Sequence, residues 1–134
     1  METRDKFLLR IRPEIPAAKI FSNTSDGERF QNETLRPIVK LQNDLMLAIF
    51  RNYVQKHKNV FYDLSLEKRI KYIENAIHKD TKFRNSIRGI IVGQFTLDEY
   101  EEYIQKSSAL TKRMMEIVSN QLTGNMQLLE YDYA

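Results

Sequence analysis

The sequence predicts an all-α, single-domain bundle of five or six helices. Three observations carry that prediction. Glycine (4) and proline (3) are scarce among the 134 residues, which leaves little room for the many turns of a β-protein. Apolar residues recur at three- and four-residue steps instead of alternating. Cap-forming residues stand where those apolar stripes begin. The hydrophobic and charged fractions, 42% and 29%, are those of a globular domain, and a chain of this length can bury a core without covalent staples.

Residues 1–25 read as an N-terminal arm. Phe7 to Arg12 is a short amphipathic stretch of one or two helical turns, and Pro13 and Pro16 then impose an extended link, because proline disfavours helical geometry in the residue before it. Ser22 to Gly27 is a polar loop. From Asp26 to about Lys58, the residues Phe30, Leu35, Ile38, Leu41, Leu45, Ala48 and Ile49 trace one apolar stripe. Pro37 interrupts this segment, either kinking one long helix or sitting in the first turn of a second; a kink or break at Pro37 is the favoured expectation. Phe50, Tyr53, Val54 and Phe61 widen the apolar surface, so this helix is expected at the centre of the bundle.

Ser65 is placed to cap a helix reaching about His78, with Leu66, Ile70, Ile73 and Ile77 on one face. Asp80 or Thr81 caps the next, whose stripe is Phe83, Ile87, Ile90 and Ile91, and Gly93 can end it in a left-handed cap. Thr96-Leu97-Asp98-Glu99 fits the capping box, and that helix carries Tyr100, Tyr103 and Ile104. Ser107 or Ser108 caps the last helix, with Leu110, Met114, Ile117, Val118 and Gln121 in register as far as Gly124. Residues 125–134 form a C-terminal tail that mixes apolar, tyrosine and acidic side chains.

Several function classes find no support in the residues. The absence of cysteine excludes disulfides, thiolate metal sites and a cysteine nucleophile, and fits a reducing compartment. The first residues hold no apolar signal region, and the longest aliphatic run, Ile90 to Val92, is far short of the ~20 residues that span a bilayer. A cytoplasmic protein without a membrane partner is expected. His57 and His78 are the two histidines, in neither an HExxH nor a Glu-x-x-His pattern, so no metal and no cofactor are expected. Glu74 and His78, one helical turn apart, make a pair but not a site. No nucleophile elbow, Walker loop or dinucleotide fingerprint is present.

Charge is unevenly spread. Residues 1–50 carry eight basic and seven acidic groups, residues 51–90 ten and four, and residues 91–134 three and seven, a distribution of +1, +6 and −4. The basic middle and acidic end can attract each other, within one chain or between two. The sharpest cluster is Lys79, Lys82, Arg84 and Arg88, in which Arg84 and Arg88 stand at i and i+4 and repel. An acidic neighbour from Asp98, Glu99, Glu101 or Glu102 is the expected compensation; a bound phosphate, carboxylate or acidic protein is the alternative, and nucleic acid comes third. Tyr100 and Tyr103 share a helix face at a three-residue step, and a pocket of Tyr100, Tyr103, Arg84 and Arg88 is the ligand-binding form of that alternative. Gly89 and Gly93, four apart, let helices approach closely.

The strings Lys6 to Pro16 (KFLLRIRPEIP), Phe30 to Pro37 (FQNETLRP) and Phe83 to Thr96 (FRNSIRGIIVGQFT) resemble a family of small helical proteins of Bacteroidetes-type bacteria whose members often carry the label "glyoxalase". The resemblance covers most of the chain. Metal-dependent glyoxalases are rich in strands and use His and Glu ligands, whereas this chain reads as helical with two histidines, so the label brings no functional residue with it. The leading expectation is a non-enzymatic helical module that binds a protein partner or itself. A small anion-binding protein or enzyme using Arg84 and Arg88 is second.

Overall fold

The computed structural model describes residues 2–15 and 24–129; positions 1, 16–23 and 130–134, including Pro16 and the end of the C-terminal tail, lie outside the described residues. Eight α-helical segments follow in order: α1 (Glu2–Ile11), α2 (Asp26–Phe30), α3 (Arg36–Leu41), α4 (Asn43–Lys56), α5 (Leu66–His78), α6 (Thr81–Val92), α7 (Leu97–Gln105) and α8 (Ser107–Gly124). A π-helical turn, Gln31–Leu35, joins α2 to α3 without interruption. Among the described residues no strand forms, so the fold is the all-α bundle that periodicity and caps imply. With α2 to α3 taken as one run there are seven described helices, one above the upper expectation.

Local chemistry explains most boundaries. Ser25, Ser65, Asp80 and Thr96 each accept the backbone N–H three residues on, and Thr96 with Glu99 completes the reciprocal capping box. Ser25 therefore starts α2 inside the stretch expected to be a loop. The expected cap at Ser107 or Ser108 does not form: Lys106 is the cap, with φ −139° and no side-chain hydrogen bond. Gly93 ends α6 in right-handed geometry, φ −62° and ψ −15°, and not in the expected left-handed cap.

The expected kink at Pro37 is also corrected. Pro37 lies in the first turn of α3, and the preceding backbone widens into the π turn, where the Arg36 N–H reaches back five residues to the Gln31 carbonyl. That extra residue per turn makes room for a ring that an α-turn would press against the carbonyl four residues earlier. The break falls instead at Gln42, with φ −89° and ψ 9°. Leu45 and Ala48, placed on the apolar stripe by spacing alone, are exposed, while Met46, Leu47, Phe50 and Val54 are buried. Side chains of α8 cover the break: Gln121 donates to the Val39 carbonyl at 3.0 Å and Asn125 to Asn43 Oδ1 at 3.3 Å.

The central element is α8, not the 26–58 segment. It packs against α2 to α7 and the π turn, and buries Leu110, Thr111, Met114, Met115, Ile117, Val118, Ser119 and Leu122. Its exposed stripe is narrow, Ala109, Lys112, Glu116 and Asn120. A helix apolar over most of its circumference belongs inside a bundle. Beyond α8, a 3-10 turn, Met126–Leu129, buries Met126 and Leu129, and Arg51 donates to the Leu128 carbonyl. Within the core, Phe50 is fully buried, with its ring centroid 5.5 Å from Phe61, 6.1 Å from Tyr72 and 6.4 Å from Phe83.

Candidate functional site

The basic side of α6 is not neutralised as its sequence suggests. Phe83, Ile87 and Ile91 face the core, Lys79, Lys82 and Arg88 are exposed, and Arg84 is half-buried. Among the described residues neither Arg84 nor Arg88 makes an ion pair, and Arg84 Nε is buried without a hydrogen-bond partner. The acidic segment is engaged elsewhere, since Glu99 is bound by Arg12. The four-residue pocket does not assemble either. Tyr103 is buried, with its hydroxyl 2.6 Å from Thr111 Oγ1, whereas Tyr100 lines a cavity with Arg4 and Val92 in which neither Arg84 nor Arg88 takes part.

Gly89 is exposed, and a Cβ there would meet nothing within 4 Å, so none of the described helices uses its small size. Gly89→Ala is expected to raise stability by about 0.5–1 kcal/mol, because alanine restricts the unfolded chain and favours the helix; thermal melting measures the gain. Gly93→Ala is expected to gain less, since its Cβ would come to 3.2 Å from the Gly89 carbonyl oxygen.

A polar clasp that spacing does not reveal holds α1 over the α6–α7 junction. Arg4 donates to the carbonyls of Phe95 and Gly93, both at 2.9 Å, and Asp5 accepts the Leu97 N–H at 3.3 Å. Just beyond α1, Arg12 forks onto Glu99 at 2.6 and 2.7 Å and reaches the Gln94 carbonyl at 2.8 Å. Glu99 also accepts from Thr34 Oγ1 at 2.9 Å and the Thr96 N–H at 2.8 Å. Burial pushes the Glu99 carboxyl up, but the bonds from Arg12, Thr96 and Thr34 together outweigh it and hold the group below the usual carboxylate range. The capping box in the sequence marks Glu99 only as a cap.

Because the clasp is polar, α1 leaves Phe7, Leu9 and Ile11 53–54% exposed. Beside it, the outer side of α7 exposes Leu97, Tyr100 and Ile104 by 42%, 44% and 48%. Their steps of three and four put them on one face. Leu97 and Tyr100 also wall a cavity of about 290 Å³ with Arg4, Asp5, Val92, Phe95 and Thr96. Exposed Asp98 and Glu101 border the stripe along one edge, while Glu102 turns to the opposite side of α7, lining a separate cavity with Asp26, Gly27 and Phe30. There burial, then the carboxylates of Asp26, Glu33 and Glu99, push Glu102 above its ordinary range.

Lys82, alone of the basic cluster, lines a second cavity, of about 370 Å³, with residues of α4 and α6: Ile49, Asn52, Tyr53, Lys56, Phe83 and Ser86, together with His57 and Asp80. The Tyr53 hydroxyl donates to Asp80 Oδ2 at 2.8 Å, and Asp80 Oδ1 caps α6 by accepting the Phe83 N–H at 3.2 Å. Burial and then the Asp80 bond push the Tyr53 hydroxyl far above its ordinary range, while the Tyr53 and Phe83 bonds hold Asp80 below its own. Both groups keep their protonation states across neutral pH. Among the described residues no group of three or more His, Asp or Glu side chains could hold a metal ion, and no helix is long and apolar enough to cross a membrane. No family model, curated protein or solved structure matches the chain.

Proposed function

We propose that this protein is a non-enzymatic interaction module, that its docking face is the outer side of α7 with the adjoining cavity, and that its partner is a basic amphipathic helix. The carrying observation is the Leu97, Tyr100 and Ile104 stripe, three large side chains in line, each more than two-fifths exposed. Such a stripe matches helix-in-groove recognition, in which a partner helix lays apolar residues spaced three and four apart into a groove. The cavity of about 290 Å³ gives one partner side chain a socket at the end of the stripe.

Charge selects the partner. Exposed Asp98 and Glu101 border the stripe along one edge and favour lysine and arginine there. A two-fold dimer through this face would set those carboxylates against their own copies, which disfavours isologous self-association. A head-to-tail contact with the basic 51–90 region of a second copy is the competing occupant.

The test titrates a fluorescein-labelled 18-residue Leu/Lys peptide, with leucines three and four apart, against the protein by anisotropy. Binding is expected with a Kd of about 10 µM, weakening as salt rises. A variant with Leu97, Tyr100 and Ile104 all changed to Ser is expected to bind at least tenfold more weakly. Equal binding by that variant would sink the proposal. A salt-sensitive dimer in light scattering, abolished by the same changes, would replace the foreign helix with a second copy.

A further inference from the structure

We propose that the open cavity between α4 and α6 is a binding site for a small aromatic carboxylate, independent of the α7 face. At about 370 Å³ it lies at the lower end of the range of small-molecule pockets, which suits a single ring bearing a short acidic chain.

Its apolar wall is aromatic and fixed in place. The Tyr53 ring lies 4.3 Å from Phe83 and 4.2 Å from His57, centroid to centroid, and Ile49 completes the wall. The Asp80 bond holds the Tyr53 hydroxyl, so the ring is oriented before any ligand arrives. His57 is oriented as well. Its Nδ1 lies 2.7 Å from the Tyr53 carbonyl, which can only accept, so Nδ1 carries the proton and Nε2 of the neutral ring is free to accept from a ligand hydroxyl.

The charge balance calls for an anion. Asp80 stays charged but turns both carboxylate oxygens to Tyr53 and the α6 cap, and with Lys56 and Lys82 the lining still carries a net positive charge. Lys56 and Lys82 are exposed at the rim and make no ion pair among the described residues. Two ammonium groups over an aromatic wall attract a ring with a carboxylate and repel amines. A phosphate fits less well. It would use bare N–H groups at a helix start or an arginine fork. Here Asp80 already takes the Phe83 N–H of the first turn of α6, and no arginine lines the cavity.

Amide NMR shifts during titration with 4-hydroxybenzoate test the site, with benzyl alcohol, benzylamine and inorganic phosphate as comparators. Saturable shifts confined to residues 49–57 and 80–86 are expected, with a Kd of about 0.1–1 mM. Lys56→Glu with Lys82→Glu is expected to weaken binding at least tenfold, and Ser86→Trp, which fills the cavity from an exposed position, to abolish it. All three positions are exposed, and circular dichroism confirms that the variants fold. No saturable shift with 4-hydroxybenzoate, equal affinity for benzyl alcohol, or indifference to the charge reversal would overturn the site. Shifts with inorganic phosphate alone would also overturn it, as they would show an anion site without an aromatic subsite.

Discussion

Phe50→Ala is expected to cost about 4 kcal/mol of folding stability, a large part of what a domain of this size possesses. Phe50 is fully buried, and three rings from three other elements pack edge-on around it: Phe61, Tyr72 and Phe83. Removing the ring therefore loses its transfer free energy and leaves a cavity whose aromatic walls have little freedom to collapse. Edge-to-face geometry adds to the loss. In urea, the midpoint should fall while the dependence on denaturant stays unchanged, and the thermal midpoint should drop by on the order of 15 °C. Phe50→Leu keeps most of the volume and should cost no more than about 1.5 kcal/mol. Equal losses in the two variants would show that this cluster packs loosely.

Arg12→Ala should be the second most damaging change, at about 3 kcal/mol, and its acid dependence identifies the cause. The side chains of Arg12 and Glu99 are only 7% and 16% exposed, so truncating Arg12 strands a carboxylate away from water. In the parent chain the folded Glu99 holds its proton less tightly than the unfolded chain does. The unfolded state therefore binds more protons as the pH falls below the ordinary value of 4.5, and the contribution of Glu99 is lost there; above it, the contribution is complete. In the variant, burial becomes the leading influence and Glu99 takes up a proton more readily. The deficit of Arg12→Ala should then shrink in acid. A deficit constant between pH 3 and 7 would show that lost packing, not the charge, explains it. Arg12→Lys should recover part of the loss, because an ammonium group cannot reproduce the two-pronged contact.

The features legible in the sequence are those that local chemistry decides. Ser65, Asp80 and Thr96 cap the helices they were expected to cap, because the donor each satisfies lies three residues away. Phe83, Ile87 and Ile91, and Leu110, Met114 and Val118, are buried as their spacing requires. Periodicity misled where it offered two stripes: Leu35, Val39, Met46 and Phe50 are buried, while Leu45 and Ala48 of the other are exposed. The candidate sites were less legible still. Arg12 meets Glu99 across 87 positions, and Tyr53 meets Asp80 across 27. The basic cluster on α6 led to Lys82, but its partners Tyr53, Lys56 and His57 belong to the other side of the bundle's sequence. Leu97 and Ile104 look like core residues in a one-dimensional pattern, and only the packing of Tyr103 and Glu99 shows which side of α7 turns inward.

The α1 clasp bears on the order in which the molecule assembles. Its bonds join residues 4, 5 and 12 to residues 93–99, so they close a loop of more than eighty residues, whereas the caps and turns of α5 to α8 join near neighbours. Loop closure is entropically costly until the distant surface already exists. The junction of α6 and α7 must therefore form before α1 has anywhere to dock, and α1 can leave while that junction stays folded. Its grip consists of a few charged side chains on main-chain carbonyls and one carboxylate, with little buried hydrocarbon, the profile of a unit that opens well below the global unfolding free energy. Each such opening uncovers the Arg4 side of the α7 cavity, so the first helix sets how often that cavity is fully exposed.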